Sequence, residues 1–235
     1  MSDDKGIRDE KEKEEAKERA RGEGEQGNGD GENGDLNGDD LEDIDVPPTP
    51  TLLVSDDATE DAEEDVKSLE QELSALTVAE ASRLTPRKCE ILLETFTALK
   101  RHLVHNIQTL FIRLFSEYPT YKDIWPQFRA IPDSSLMYSN ELKKHVHVFC
   151  KGLTMIINSL NTEKELYVVL RKLAKAHARK NVYKNHIMNM LPELLNVMKS
   201  NGIDVNDDVK EAWTTLFDVL GNLVDPLKTD NLNSA

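Results

Sequence analysis

The chain has 235 residues, with 44 acidic and 29 basic side chains and a formal net charge of −15. That length supports one domain of about 150 residues and one further segment. The charge is unevenly spread, with a net −20 over residues 1–80 and +5 over residues 81–235, so the acidic region is unsuited to nucleic acid. No long apolar run and no apolar segment behind a basic start occurs, and Ser2 removes the myristoylation pattern. Neither a membrane span nor a secretory signal is expected, and the expected setting is cytoplasmic. Cys89 and Cys150 are the only cysteines, both on apolar helical positions, which suits reduced core thiols.

Residues 1–66 read as a disordered acidic extension. Acids and bases alternate from Lys11 to Arg21, enough for a fraying solvated helix, and Gly, Asn and acids fill Gly22 to Asp40. Val46-Pro47-Pro48-Thr49-Pro50 followed by Leu52-Leu53-Val54 reads as a linker, the alternatives being a partner motif or a phosphorylation site at Thr49. Val66, Leu69, Leu73 and Leu76 mark a short a/d-like seam. It is too short for an independent coiled coil, so 67–83 is expected as a helix that docks on the body or stays marginal.

From residue 84 to 228 the pattern is helical, with 229–235 a flexible tail. Thr85 as N-cap and Pro86 as first helical residue open a helix with Cys89, Leu92, Leu93, Phe96 and Leu99 on one face. Ile107, Leu110, Phe111, Leu114 and Phe115 line a second, which Pro119 ends. A short irregular stretch with Trp125, Phe128 and Pro132 follows. Ser139 caps a third helix with apolar residues at 142, 146, 149, 153, 156 and 160, and Thr162 with Glu165 offers a capping box for a fourth. Two more run through Met188–Met198 and Val209–Val224; Pro192 should kink the former or mark its start, Asn201-Gly202 stops it, and Asn206 caps the latter. Nothing alternates as a strand would, so the fold class is all-α, a bundle of crossed helices.

Two histidines lie on apolar faces of the hairpin formed by the third and fourth helices. His145 is sixteen residues before Asn161 and His177 sixteen after it, which at about 1.5 Å per residue brings both imidazoles to similar height. Either alone is more often a structural residue. As a matched pair facing across an apolar slot, they suit a planar metal cofactor held through its two axial positions. His147 projects away from His145 and should be exposed. His102 and His105, three apart, lack further ligands and are discounted as a zinc site.

The sequence from 84 to 228 resembles the globin family, of the intracellular invertebrate type with a long acidic extension. Phe111-Ile112-Arg113-Leu114-Phe115 through Pro119 is similar to the family's helix B running into helix C, with Trp125 and Phe128 matching the two aromatics that follow. Leu142-Lys143-Lys144-His145 is similar to helix E, Leu173-Ala174-Lys175-Ala176-His177 to helix F, and Phe96 matches the aromatic of helix A. The resemblance implies a globin fold around a pocket for haem b (iron protoporphyrin). It implies His177 as the proximal iron ligand and His145 on the distal side as a possible sixth ligand, with Trp125, Phe128, Phe111, Phe149, Leu173 and Val182 around the porphyrin. No catalytic residue is assigned, and no nucleic acid partner is expected.

Three departures bear on function. Trp125 stands where the family has Phe, Phe149 where a smaller aliphatic residue is usual, and Phe111 overlooks the same face. Neither Phe149 nor Phe111 offers a hydrogen bond, so His145 is the distal donor, and a crowded distal side suits His145 binding the iron itself. Arg179, Lys180, Lys143 and Lys144 are candidates for the haem propionates, or simply solvated helix faces. The implied role is reversible binding of a diatomic gas (oxygen, NO or CO) for storage, transport or sensing. The alternatives are a bis-histidine protein with a redox partner or NO, nitrite or peroxide chemistry, and a haem-free scaffold.

Overall fold

Thr85, Ser139 and Asn206 each begin a helix by accepting a hydrogen bond from a first-turn amide: Lys88 N to Thr85 Oγ1 at 3.4 Å, Leu142 N to Ser139 Oγ at 3.1 Å and Val209 N to Asn206 Oδ1 at 3.0 Å. A computed structural model of the protein describes residues 60–227. The expectations for the acidic extension before Glu60, for the Pro-Thr-Pro stretch and for the last residues lie outside it. All regular structure among the described residues is helical. In order these are α1 (Glu60–Ala81), α2 (Pro86–Leu99), α3 (Leu103–Glu117), the short α4 (Pro126–Arg129) and α5 (Asp133–Leu136), α6 (Asn140–Ser159), α7 (Glu163–Ala178), α8 (Lys184–Ser200) and α9 (Asp207–Val224), with 3-10 turns at Lys100–His102 and Pro119–Ile124.

One capping expectation fails. Thr162 precedes α7, but its side chain caps nothing. Its own N–H is already donated to Ser159 O at 3.0 Å, closing the turn out of α6, so Glu165 has no free amide to reach back to. The Pro192 expectation also needs correcting in one respect. α8 runs unbroken from Lys184 through Pro192, so the proline does not mark its start; the carbonyl four residues back goes without its usual donor. Gly202 ends α8 as expected, at φ +75°.

The apolar stripes decide the packing. Trp213 of α9 is fully buried where α9 crosses α2, and its Nε1–H donates to Thr95 Oγ1 at 3.0 Å. Truncating such a side chain to alanine costs about 3–5 kcal/mol. α9 also packs on α1, α7 and α8, while α3 lies against α6 and α8. The α3–α8 contact carries a polar pair, exposed Asn201 Nδ2 donating to Oδ1 of buried Asn106 at 3.0 Å as Asn106 Nδ2 donates to Leu99 O at 3.2 Å. No buried side-chain N or O among the described residues is left without a partner. Of the seam in α1, Leu73 is buried and Leu76 half-buried, joined by Thr77 and Ala81; this face meets α7 and α9. Both cysteines are buried and unpaired.

Candidate functional site

α6 and α7 run antiparallel from the turn at Asn161, and Gly152 marks where they touch. A Cβ there would come into van der Waals contact with Leu173 Cδ2, at 3.4 Å. His145 lies two turns before Gly152 on α6, and His177 one turn beyond Leu173 on α7. From that contact outward the walls are aromatic. The His145 ring centroid is 4.9 Å from those of Phe111 and Trp125 and 5.9 Å from Phe128, each edge-on. Phe149 meets Phe111 at 5.5 Å, and Trp125 stacks on Phe128 at 5.7 Å. Phe111 and Phe128 are fully buried, whereas Trp125, His145, Phe149, Leu173, His177 and Val182 are half-buried. Inward-facing side chains that keep accessible surface line a cleft.

The electrostatics agree. Burial pushes His145 down from 6.5 to about 4, with repulsion from His177 adding to it. Burial lowers His177 too, against a smaller opposing effect of its hydrogen bond to Leu173. Near pH 7 both are therefore neutral imidazoles, the form that ligates metals.

His177 is more firmly oriented than its partner. Its Nδ1–H donates to Leu173 O at 2.7 Å, which places the proton on Nδ1 and leaves the Nε2 lone pair free for the cleft. The end of α7 locks the backbone as well. Lys180 N and Val182 N both donate to His177 O, at 2.9 and 3.0 Å, and Asn181 N donates to Ala178 O at 3.0 Å. Asn181 takes φ +56°, the left-handed residue of a Schellman turn, a conformation asparagine tolerates better than most. His145 makes no hydrogen bond among the described residues; the surrounding rings alone position it.

The donor set and walls fit a haem. Two imidazoles stand on packed neighbouring helices, one with its tautomer fixed by Leu173 O and the other among flat aromatic rings. His147 is exposed and bonded to Lys143 O at 2.7 Å, and His102 and His105 are exposed. Among the described residues no cluster of three His, Cys, Asp or Glu side chains could hold a metal ion. Arg179, Lys180, Lys143 and Lys144 are exposed at the helix surfaces. Burial raises both thiols, Cys150 to about 12, which makes a reactive thiolate unfavourable.

A globin family profile matches residues 108–223, from within α3 almost to the end of α9. The chain belongs to the globin family. As a globin it is 28% identical over 116 residues to cytoglobin-1 of Oryzias latipes, which is 47% of this chain and 64% of that protein, just under two thirds of its length. It is 26% identical over 117 residues to a globin of Aequiyoldia eightsii, 48% of this chain and 77% of that one. The solved structure of haemoglobin from the botfly Gasterophilus intestinalis superposes with a TM-score of 0.56 at 18% identity, over 62% of this chain and 99% of that one, the likeness of a shared globin fold.

Two parts of the globin site escaped the sequence reading. His186 accepts a hydrogen bond from Tyr183 N at 2.9 Å and stands edge-on to Tyr121 at 4.6 Å; its place three residues past a helix start was the available signal. The other is a polar cluster behind the corner between α7 and α8. Lys184 Nζ reaches Asp218 Oδ1 at 2.6 Å and Asn222 Oδ1 at 2.5 Å, its N–H donates to Asp225 Oδ1 at 3.1 Å, and Arg83 holds Asp218 Oδ2 at 2.6 Å. Burial pushes the Asp218 carboxyl up, but the hydrogen bonds from Lys184 and Arg83 outweigh it and hold it below its ordinary range. Gly221 gives the Lys184 stem its path, since a Cβ there would meet Lys184 Cγ at 2.6 Å.

Proposed function

We propose that this globin would hold haem b through His177 Nε2 and would take up a diatomic gas reversibly, with His145 as a second residue that would hold the iron when no gas is bound. The observation that carries the reading is geometric: His177, its Nδ1–H held by Leu173 O, stands on a helix packed against the one whose His145 lies among Phe111, Trp125 and Phe128. Haem, when bound, supplies the iron centre at which a gas such as oxygen, NO or CO is held.

The residues of the chain divide the remaining work. Leu173 O fixes the His177 tautomer, and the Schellman turn fixes its backbone. Trp125, Phe128, Phe149, Leu173 and Val182 present apolar surface that excludes water, which protects ferrous iron from oxidation. On the distal side, Phe111 and Phe149 offer no donor, so His145 alone can hydrogen-bond a ligand. With two rings 4.9 Å from its own and no hydrogen-bond partner among the described residues, His145 keeps both ring nitrogens uncommitted and would be available to the iron. Where His145 would hold the iron, gas binding would carry a cost in apparent affinity. The unpaired, buried thiols suit a reducing cytoplasm.

The visible spectrum of the reduced, ligand-free protein tests this. Low-spin six-coordinate bands that convert on adding CO are expected. A five-coordinate high-spin spectrum would remove His145 from the resting state while leaving gas binding intact, and the absence of any Soret band after haem is supplied would remove the whole reading.

A further inference from the structure

The helix that carries His177 is gripped from behind. Glu70 of α1 pairs with Lys175, two residues before His177. Leu73, Thr77 and Ala81 bury the same face of α1, which meets α7 and α9. Where the chain leaves α1, Arg83 bonds Glu80 and reaches across to Asp218 of α9, and the other oxygen of that carboxylate takes Lys184. Lys184 also gives its backbone N–H to Asp225. The residues between His177 and Lys184 form the corner whose amides at 180 and 182 bond the His177 carbonyl. One end of the corner is thus the proximal histidine itself. The other is clasped by a cluster that Arg83 completes.

We propose that α1 together with Arg83 is a positioning device for His177: docked on α7 and α9, and clasping Lys184 through Asp218, it fixes the backbone that aims the imidazole into the cleft. The consequence for haem rests on the reading of His177 as the iron ligand; the mechanical part does not. Glu70, Leu73, Arg83 and Asp218 then act through His177 without touching the cofactor. Their hold is both apolar and ionic. The ionic contacts lie at the surface, where single pairs contribute little, so the apolar face supplies most of the docking and the Arg83–Asp218–Lys184 chain supplies the aim.

Two full-length variants test it. Leu73→Glu places a charge in the docking face, and Asp218→Asn keeps the shape of the cluster while removing its charge. In the haem-free protein, hydrogen exchange is followed at the amides of Lys180, Asn181 and Val182 and, as an internal reference, at those of Leu110 to Leu114 in α3. Exchange at the corner should accelerate about tenfold in Leu73→Glu and less in Asp218→Asn, with α3 unchanged. In the haem-loaded protein, transfer of haem to excess apomyoglobin should accelerate in the same order. The proposal is overturned if α1 exchanges freely while the corner keeps its protection, if α3 loses protection in step with the corner, or if the corner loosens and haem transfer does not change. Should the unaltered chain take up no haem, the functional reading falls separately, and the exchange pattern still decides whether α1 positions residue 177.

Discussion

His177 is held by its ring nitrogen, by the carbonyl at its own helix end and by a corner clasped from behind, whereas His145, 4.9 Å from two aromatic rings, is held by packing alone. Both are neutral histidines on neighbouring amphipathic helices, and burial depresses both. On the proposed reading, the contrast separates a ligand fixed by hydrogen bonds from one placed by packing. Hydrogen bonds fix direction and tautomer, whereas edge-on ring contacts hold a side chain by shape and leave its tautomer unset. On the proposed reading, the imidazole pinned by Leu173 O would retain the cofactor, and the uncommitted one would regulate access.

The largest effect expected from breaking this asymmetry is on haem retention. His177→Ala should weaken haem binding by about 100-fold or more, while His145→Leu should keep haem and speed CO binding. Soret titration and flash photolysis read the two, and equal haem retention in both variants would reverse the assignment of sides.

A second test uses acid. In the haem-free chain the folded form resists protonating His145 until about pH 4, and burial lowers His177 as well, while both titrate near 6.5 once unfolded. The unfolded state therefore binds more protons as pH drops, so stability is complete above about pH 6.5 and falls toward pH 4, by about 3 kcal/mol for His145 alone. Urea unfolding of the haem-free protein at pH 7 and pH 4.5 measures this, and His145→Leu should flatten the slope.

Smaller effects probe the pinned side. Asn181→Val forces a β-branched residue to φ +56° and should cost about 1–2 kcal/mol in chemical unfolding, whereas Asn181→Gly should change stability by no more than about 0.5 kcal/mol. Smallest of all, Thr162→Ala should stay within about 0.5 kcal/mol, not the ~1 kcal/mol of a working cap, because the Thr162 hydroxyl makes no capping bond.

What the sequence disclosed and what it concealed follow the same division. Helix starts at Thr85, Ser139 and Asn206, the stop at Gly202 and the apolar faces depend on residues three or four apart, so they were legible. The histidine pair was legible for the same reason, as two short periodic patterns around one turn. The clasp behind His177 was not. Arg83, Lys184 and Asp218 are brought together by the crossing of three elements far apart in the chain, and singly each looks like an ordinary solvated charge. Thr162 misled because its amide was claimed by Ser159 of the preceding helix, a competition no local motif encodes.

The chain contains two tryptophans, and the fold separates their duties. Trp213 is sealed between α2 and α9, remote in role from the cleft, while Trp125 forms part of the aromatic wall beside His145. Their intrinsic fluorescence thus supplies two built-in optical probes: emission from Trp125 should be quenched by energy transfer as porphyrin enters, and emission from Trp213 should shift to the red when the helices part. Single-tryptophan versions retaining one or the other would let cofactor uptake and global unfolding be timed independently in the same molecule without any attached dye.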